Sequence, residues 1–299
     1  MDGGGVALNI LVTGANGFIG KKVSSALEHE GHRIYRLVRS GGNKSKDTIE
    51  VDLTDNNQVI DFCKHFKNEK QVDMVIHLAS KMADYKHDEY QQLSVLEDNI
   101  EITKNMVLIT KKLKLNKIIN LSSIAVYPNI DGVFDENSKI DMSSNSDCLY
   151  GLSKFCSENI FQYMFKNEKT VVTNLRVAQV YGEGMRDDRI IPIMRSELKE
   201  ENTITVFGQG ERISNFIHID KLIEIIKCFV VNDIDGVCNI GDESLSYMDI
   251  AKSLIGEYGN GASRIILKDN GVRAKFVLDT KKMKEIINNF CINSQKGIR

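Results

Sequence analysis

The feature that most constrains the fold is a glycine-rich stretch near the start of the chain, "TGANGFIG" (Thr13–Gly20). It follows a short apolar run and precedes an amphipathic segment, which predicts a strand, a tight turn and a helix. Glycines in such a turn let the backbone approach a pyrophosphate, and the helix N-terminus presents free N–H groups to it. A purely structural turn is the alternative. We predict a dinucleotide site formed by Gly14, Asn16, Gly17, Phe18, Ile19 and Gly20.

Short apolar runs alternate with helix-length segments through the first 180 or so residues. The predicted strands are Leu8–Gly14, Arg33–Val38, Val72–Ser80, Asn116–Ser123 and Thr170–Gly182. The predicted helices are Lys21–Gly31, Asp88–Leu113 and Cys148–Lys166. This rhythm is typical of an α/β fold, in which a doubly wound parallel sheet of Rossmann type carries helices on both faces.

The pattern changes after Gly182, where polar segments and a second glycine loop replace the regular alternation. We expect residues 1–181 to form a dinucleotide-binding Rossmann domain, with residues 216–239 returning to it. Residues 182–215 and 240–299 would then form a smaller C-terminal substrate-binding lobe that closes a cleft.

Composition excludes several functional classes. The net charge of −2 offers no basic face for nucleic acid, and no apolar run approaches the roughly 20 residues that span a bilayer. The start of the chain lacks the basic region of a secretion signal. Six cysteines occur without C-x-x-C or zinc spacing, which predicts free thiols and no metal site. We therefore expect a cytoplasmic protein with neither nucleic-acid nor membrane partners.

The end of the second predicted strand, "LVRS", bears on the choice of cofactor. An acidic residue there would bind the ribose 2′-OH of NAD, whereas an arginine accommodates the 2′-phosphate of NADP. Val38 stands where the acid is expected, and Arg39 and Ser40 follow it. The sequence favours NADP(H), with NAD(H) possible. The alternative is that Arg39 is a solvated loop residue.

Two further strand ends contribute to the predicted cofactor site. In "VDLTD" (Val51–Asp55), Asp52 can reach an adenine amino group. In "HLAS", His77 ends a buried strand at the edge where open α/β sheets bind ligands. Its apolar neighbours favour a packed or cofactor-facing histidine over an acid–base role.

These motifs, in this order, resemble the extended short-chain dehydrogenase/reductase family, whose members are NAD(P)-dependent epimerases, dehydratases and reductases of nucleotide sugars. The resemblance runs from Thr13 to about Lys284 and includes "INLSSIAVYP", "YGLSK", "NLRVAQVYG" and "GQGERISNFIHIDKL". It implies a catalytic set of Ser123, Tyr150 and Lys154. It also implies cofactor contacts from Asp52, Leu53, Leu78, Ala79, Ser80 and Asn99.

The catalytic chemistry implied by the resemblance is consistent with the spacing of Tyr150 and Lys154. Four residues apart on a helix, they share one face. A lysine cation one helical turn away, together with the nicotinamide charge, favours the phenolate, so we expect the tyrosine pKa to fall below its usual value of about 10. Tyr150 would move the proton, Lys154 would bind the nicotinamide ribose, and Ser123 would orient the substrate oxygen.

Departures from the family pattern narrow the expected reaction. Family dehydratases carry Asp-Glu after the catalytic Ser/Thr, whereas Ile124 and Ala125 follow Ser123 here. The expected function is NADPH-dependent reduction of a 4-keto-6-deoxy sugar nucleotide. A nucleotide-sugar 4-epimerase with bound NAD is the alternative, and a non-enzymatic NADP-binding sensor is a third possibility.

The expected substrate contacts are less regular. Gln179 replaces the usual Asn, and Ser214 stands where an arginine usually clasps the diphosphate. Arg212 either substitutes for that arginine or is simply exposed. Arg273 and Lys81 are further candidates.

The resemblance also implies a homodimer that pairs helices Asp88–Leu113 and Cys148–Lys166. The alternative is that the apolar residues of these helices only cover the sheet.

Overall fold

The computed structural model describes residues 6–41, 45–69, 71–82, 89–142 and 147–292. Its strands are β1 (Asn9–Thr13), β2 (Arg33–Val38), β3 (Thr48–Glu50), β4 (Met74–His77), β5 (Lys117–Ser123), β6 (Gly132–Phe134), β7 (Val171–Val177), β8 (Gln179–Tyr181), β9 (Thr203–Phe207), β10 (Ile213–His218), β11 (Gly236–Ile240), β12 (Glu243–Ser246), β13 (Arg264–Lys268) and β14 (Phe276–Leu278). Its α-helices are α1 (Phe18–His29), α2 (Asn56–Glu69), α3 (Glu89–Leu113), α4 (Cys148–Phe165), α5 (Ile190–Glu201), α6 (Ile219–Val231), α7 (Tyr247–Tyr258) and α8 (Lys281–Ile286).

The largest element is a parallel sheet of seven strands in the order β11-β7-β5-β4-β1-β2-β3. Its central strands β1, β4 and β5 are almost continuously buried because both faces of the sheet are covered. Alternate residues enter two separate cores. Ile10 and Val12 of β1 pack in the core that includes α1 and α6, and Leu11 packs in the core that includes α2, α3 and α4. The predicted doubly wound α/β fold is confirmed.

The strand order reverses between β1 and β4. The chain builds outward from β1 to β3, crosses back through α2, and then builds in the other direction from β4. Loops that leave the carboxyl ends of β1 and β4 therefore diverge to opposite faces and leave a crevice between them. The glycine turn follows β1, and "HLAS" ends β4, so both predicted cofactor segments lie at this crevice.

Smaller sheets lie beside the large one, in the orders β12-β10-β8, β13-β9 and β14-β6. A third core formed by residues from α5, β9, β10 and α7 includes Met194, Ile204, Phe216 and Ala251.

The predicted strand Thr170–Gly182 is two strands in the structure. β7 ends at Val177 and β8 begins at Gln179, in a different sheet. Ala178 lies between them and donates its N–H to the Ile240 carbonyl at 2.8 Å.

Other predicted elements differ only at their ends. α1 begins at Phe18, three residues before the predicted start. α3 ends at Leu113 as predicted, whereas Asp88, its predicted first residue, lies outside the described residues. None of the helices in the described ranges is long and apolar enough to cross a membrane. Those ranges also contain no group of three or more His, Cys, Asp or Glu that could hold a metal ion.

The cysteines differ from the sequence expectation at one position. Cys63, Cys148, Cys156 and Cys238 are free thiols. Cys228 is disulfide-bonded, so the prediction of six free thiols is wrong for this residue. Spacing within the sequence gave no sign of the bond, because the cysteine nearest to Cys228 along the chain, Cys238, is a free thiol.

Candidate active site

The glycine turn after β1 packs directly against the end of β4. Gly14 has a positive φ of 65°, and a Cβ on it would lie 2.8 Å from the backbone nitrogen of Ala79. Gly20 is equally constrained, since its Cβ would lie 2.3 Å from the Gly14 carbonyl oxygen. Side chains at these positions would separate the turn from α1 and from β4. The glycines therefore allow the close packing that brings the two cofactor segments together.

The N-terminus of α1 suits a negatively charged group. Its N-cap is Gly17, and no side chain caps the helix. The first N–H groups of a helix have no partner within the helix, so without a side-chain cap they remain available to an anion. This arrangement fits a dinucleotide pyrophosphate.

The predicted adenosine-side residues gather beyond the glycine turn. The Asn16 amide donates to the Ser40 carbonyl at 3.4 Å, which ties the turn to the end of β2. Arg39 is exposed, and no ion pair holds it among the described residues. The Asp52 carboxylate accepts hydrogen bonds from the backbone and hydroxyl of Thr54, at 2.9 and 2.8 Å. Among the residues that the structure describes, Arg39 is thus a cation without an ion pair, beside the loop that follows β2.

His77 is a packed histidine. The Thr13 hydroxyl accepts hydrogen bonds from the backbone N–H groups of Leu78 and Ala79, both at 3.2 Å. The same hydroxyl therefore donates to Nδ1 of His77, at 2.8 Å. Burial lowers the pKa of His77 to about 3, and the Lys154 charge adds to this effect. The preference for a packed histidine over an acid–base group is confirmed.

Asn99 organises the loop that follows β4. Its side-chain oxygen accepts from the backbone of Lys81 at 2.7 Å and from the Ser80 hydroxyl at 3.2 Å. Its amide donates to the Lys81 carbonyl at 2.9 Å and to the Ser153 hydroxyl at 3.0 Å. Asn99 thereby holds Ser80 and Lys81 against α4, the helix that carries Tyr150.

Three hydroxyl groups meet at the centre of the candidate site. Ser80 and Ser123 lie close enough to the Tyr150 hydroxyl to lower its pKa, and the Arg189 charge acts in the same direction. Burial of the phenol and the negative charge of Asp147 outweigh them and raise the pKa to about 12. The fall predicted for the tyrosine pKa rests partly on the nicotinamide charge. In the protein without cofactor, burial disfavours the phenolate and the pKa is raised instead.

Lys154 lies behind this group and is buried. Its Nζ donates to the Leu121 carbonyl of β5 at 2.8 Å and lies 5.7 Å from the centroid of the Tyr150 ring. Burial lowers the lysine pKa to about 8, and Glu158 opposes that fall. The structure therefore brings Ser123, Tyr150 and Lys154 together, as the sequence predicted for a catalytic set.

Arg189 is a site residue that the sequence analysis missed. It immediately precedes α5, and its Nη2 atom lies 3.8 Å from the Met82 sulfur, in the loop that also carries Ser80. The positive charge of Arg189 acts to lower the pKa of Tyr150. The polar segment after Gly182 contains several charged residues, and no motif distinguished this arginine from them.

The predicted substrate residues do not form one cluster. The Gln179 amide donates to the Ser214 hydroxyl at 2.8 Å, so the two departures from the family pattern contact each other. The Arg212 guanidinium lies over the Tyr247 ring at 5.1 Å, with a buried Nε that has no hydrogen-bond partner in the described chain. Arg212 is thus partly buried and not simply exposed.

Two further substrate candidates are held in ion pairs. Arg273 pairs with Glu211 at 3.6 Å and with Asp269 at 3.8 Å, with its side chain 48% exposed. The Lys81 ammonium contacts the Asp98 carboxylate at 2.5 Å. Lys81 lies beside the hydroxyl cluster, whereas Arg273 pairs with surface residues near the loop that follows β9.

Known proteins share both this sequence pattern and this fold. The model of the NAD dependent epimerase/dehydratase family matches residues 10–241. A dTDP-D-glucose 4,6-dehydratase from Dictyostelium discoideum is 28% identical over 82% of this chain and 61% of its own length. A dTDP-4-dehydro-6-deoxyglucose reductase from Escherichia coli is 25% identical over 82% of this chain and 80% of its own length.

A solved structure extends the comparison to the whole fold. UDP-glucuronic acid 4-epimerase from Bacillus cereus, in complex with UDP-glucuronic acid and NAD, is 26% identical. It superposes with a TM-score of 0.77 over 94% of this chain and 93% of that protein. The family model covers most of the chain and includes the glycine turn, the hydroxyl cluster and Lys154. The chain belongs to the NAD dependent epimerase/dehydratase family.

Proposed function

We propose that this protein reduces the keto group of a nucleotide-linked 4-keto-6-deoxy sugar with NADPH. The observation that carries the proposal is the position of Tyr150 beside the buried Lys154, whose Nζ lies 5.7 Å from the centroid of the phenol ring, with Ser80 and Ser123 close enough to influence the phenol pKa. The two serines hold the phenol at the crevice where the cofactor segments converge. A carbonyl oxygen in the same place would meet both a serine hydroxyl and a proton donor.

The protonation state of Tyr150 supports the reductive direction. With a pKa of about 12, the phenol is protonated at neutral pH and can donate its proton to the oxygen of a carbonyl under reduction. Ser123 orients that oxygen, and Lys154 would bind the nicotinamide ribose. A bound nicotinamide supplies the hydride.

The residues after Ser123 disfavour a dehydratase. Ile124 and Ala125 begin a short 3-10 helix, and the Ala125 N–H donates to the Ser123 hydroxyl at 3.1 Å. Neither side chain can transfer a proton, and elimination of water from a sugar requires an acid and a base. Dehydratases among the relatives therefore do not determine the reaction proposed for this chain.

NADP(H) is the proposed cofactor, on the strength of Arg39 and Ser40. Arg39 is exposed at the end of β2, where a 2′-phosphate would meet it. The competing proposal is a 4-epimerase with bound NAD, which the similarity to UDP-glucuronic acid 4-epimerase favours. An epimerase would co-purify with its cofactor and convert the sugar without net change in nicotinamide absorbance.

The experiment combines a cofactor comparison with a tyrosine variant. NADPH and NADH oxidation are measured with 4-keto-6-deoxy sugars linked to dTDP, UDP, GDP and CDP. We expect NADPH turnover, reduced about 100-fold or more in Tyr150→Phe because the proton donor is lost. Tyr258→Phe, on the exposed face of α7, is the control and should retain activity.

Three results would oppose parts of the proposal. Normal turnover in Tyr150→Phe would reject Tyr150 as the acid. A strong NADH preference would reject the role of Arg39. Binding of NADP without turnover on any sugar nucleotide would support a sensor, although the intact Ser123, Tyr150 and Lys154 set argues against one.

We also propose the division of labour between two lobes. Residues 1–181 and 216–239 would hold the cofactor, and residues 182–215 and 240–299 would hold the substrate. The pairing of β11 with β7 in the large sheet supports the return of the chain to the first lobe. Arg212, with its unpartnered buried Nε, is the proposed contact of the substrate diphosphate.

A further inference from the structure

A row of buried polar side chains lies between the large sheet and α4. Residues two apart on a strand share a face. Ile118 of β5 and Val172 of β7 both pack in the core beneath α4. The next residues on the same face of β5 are Asn120 and Ser122, which are polar. On the neighbouring strand β7 they pair with Asn174 and Arg176, respectively. A polar row in an otherwise apolar interface requires partners on the helix.

Glu158 is the partner at the end of this row nearest the site. Its carboxylate accepts from Nε and Nη2 of Arg176, at 3.0 and 2.8 Å, and from the hydroxyl of Ser122. Both ion-pair side chains are only 4% exposed. Arg176 also donates to the Tyr127 hydroxyl at 2.8 Å. Three donors, two on Arg176 and one on Ser122, thus fix the carboxylate in one position.

Glu158 follows Lys154 by one helical turn, so both side chains lie on the same face of α4. Lys154 is 6% exposed, and its ammonium donates a hydrogen bond to the neutral carbonyl of Leu121. The other ionisable groups near this lysine are His77 on β4 and Tyr150 on α4. His77 is neutral and Tyr150 is protonated, so neither balances the lysine charge near neutral pH.

We propose that Glu158, held in place by Arg176 and Ser122, is a positioning residue that keeps the buried Lys154 protonated. The inference deepens the proposed function and rests on it in one respect, the assignment of the cofactor ribose to Lys154. An ammonium group has three donors, of which one goes to the Leu121 carbonyl and two remain for the ribose, whereas a neutral amine has only two donors in all and no charge. Glu158 itself lies behind the lysine and does not touch the substrate.

Two opposing influences on the pKa of Lys154 determine how the removal of Glu158 changes it. Burial lowers the lysine pKa to about 8, and Glu158 raises it. Removal of the carboxylate leaves burial unopposed, and it also leaves the Arg176 cation nearby without its partner. Lys154 then loses its proton at a lower pH than in the wild-type protein.

The first experiment measures the titration of Lys154 directly, in the full-length protein without substrate. The ¹³Cε chemical shift of Lys154 is followed against pH by NMR and is assigned by its absence in Lys154→Arg. In Glu158→Gln the midpoint should fall by about one pH unit. The dissociation constant for NADPH at about pH 7.5 should rise about threefold, because less of the lysine is protonated.

A second variant separates this effect from a loss of folding. Glu158→Gln leaves a buried arginine unpaired, whereas Glu158→Gln/Arg176→Met removes both charges and should be better tolerated. The lysine midpoint should fall in the double variant as well. Asp233→Asn is the matched control, since it removes the carboxylate beside another buried lysine, Lys117, at 2.9 Å. It should leave the Lys154 midpoint unchanged.

The inference and the proposed function fail in different ways. An unchanged Lys154 midpoint in the folded single or double variant would overturn the role of Glu158, whatever the enzyme activity. Absence of turnover in the wild-type protein would overturn the proposed reaction and leave the titration result intact. A midpoint that falls without any change in NADPH affinity would reject the link from Lys154 to the cofactor.

Discussion

Tyr150 shows how one side chain combines opposing electrostatic influences. Burial and Asp147 raise its pKa to about 12, while Arg189, Ser80 and Ser123 act to lower it. The four-residue spacing from Lys154 is preserved, but the lysine is directed to a backbone carbonyl of β5. The tyrosine is therefore protonated in the cofactor-free protein, and Arg189, at the start of α5, is a cation that acts to lower its pKa.

Replacement of Arg189 should change the pH dependence of catalysis. Oxidation of the sugar alcohol, the reverse of the proposed reaction, requires the tyrosinate and so becomes faster as pH rises through the tyrosine pKa. Arg189→Gln removes a cation that stabilises the tyrosinate, so the pKa of Tyr150 rises. The pH at which the oxidation rate increases should therefore move upward by up to about one pH unit. The rate is measured as NADPH formation across the alkaline range.

Arg189→Lys keeps a positive charge and is the matched variant. Its alkaline limb should lie closer to that of the wild-type protein than to that of Arg189→Gln. If both variants show the wild-type pH profile with only a raised KM, Arg189 binds substrate and has no influence on the tyrosine.

At the scale of the element, α1 begins where it does because of the glycines before and within its first turn. Gly20 lies inside the helix, where alanine is normally favoured over glycine. A Cβ on Gly20 would nevertheless lie 2.3 Å from the Gly14 carbonyl oxygen and 2.8 Å from the Cα of Ala15. Local propensity and tertiary packing therefore oppose each other at this residue.

Gly20→Ala should destabilise the protein by about 1–3 kcal/mol and weaken NADPH binding, because the turn must move away from the helix. Gly256→Ala on α7 is the control, since its Cβ would meet nothing within 4 Å. That variant should gain about 0.5–1 kcal/mol. Both are compared by chemical denaturation and by cofactor titration. If both variants were stabilised equally, the glycine turn would accommodate a Cβ at Gly20 without loss of stability, and the prediction would be wrong.

At the scale of the whole molecule, α3 and α4 carry exposed aromatic and apolar residues. Tyr90 is 84% exposed and Leu93 42% on α3, while Tyr163 is 68% exposed on α4. The two helices pack against each other beside the large sheet. We propose that their outer faces pair with those of a second copy to form a homodimer.

Tyr163→Glu should convert such a dimer to a monomer, because a carboxylate would be buried in the paired surface without a partner. Size-exclusion chromatography with light scattering at micromolar concentration measures the change in mass. Tyr258→Glu places the same substitution at a 51% exposed tyrosine on α7 and should leave the mass unchanged. A wild-type protein that elutes as a monomer would reject the homodimer.

The sequence by itself determined the features that depend on local pattern. Apolar runs separated by helix-length segments are long enough to specify β1, β4, β5 and the parallel sheet. The glycine spacing specified the turn at Gly14, because few other residues adopt a positive φ without strain. The ordered motifs also specified that Ser123, Tyr150 and Lys154 belong to one site.

Tertiary structure decided what depends on contacts between distant segments. The pKa of Tyr150 is raised by burial, which a four-residue spacing cannot reveal. Arg189 reaches the site only because α5 is placed beside the loop after β4. Glu158 pairs with Arg176 because adjacent strands align Ser122 with Arg176 under α4. Charge and hydrogen-bond effects depend on distance and burial in three dimensions, and residue spacing along the chain specifies neither.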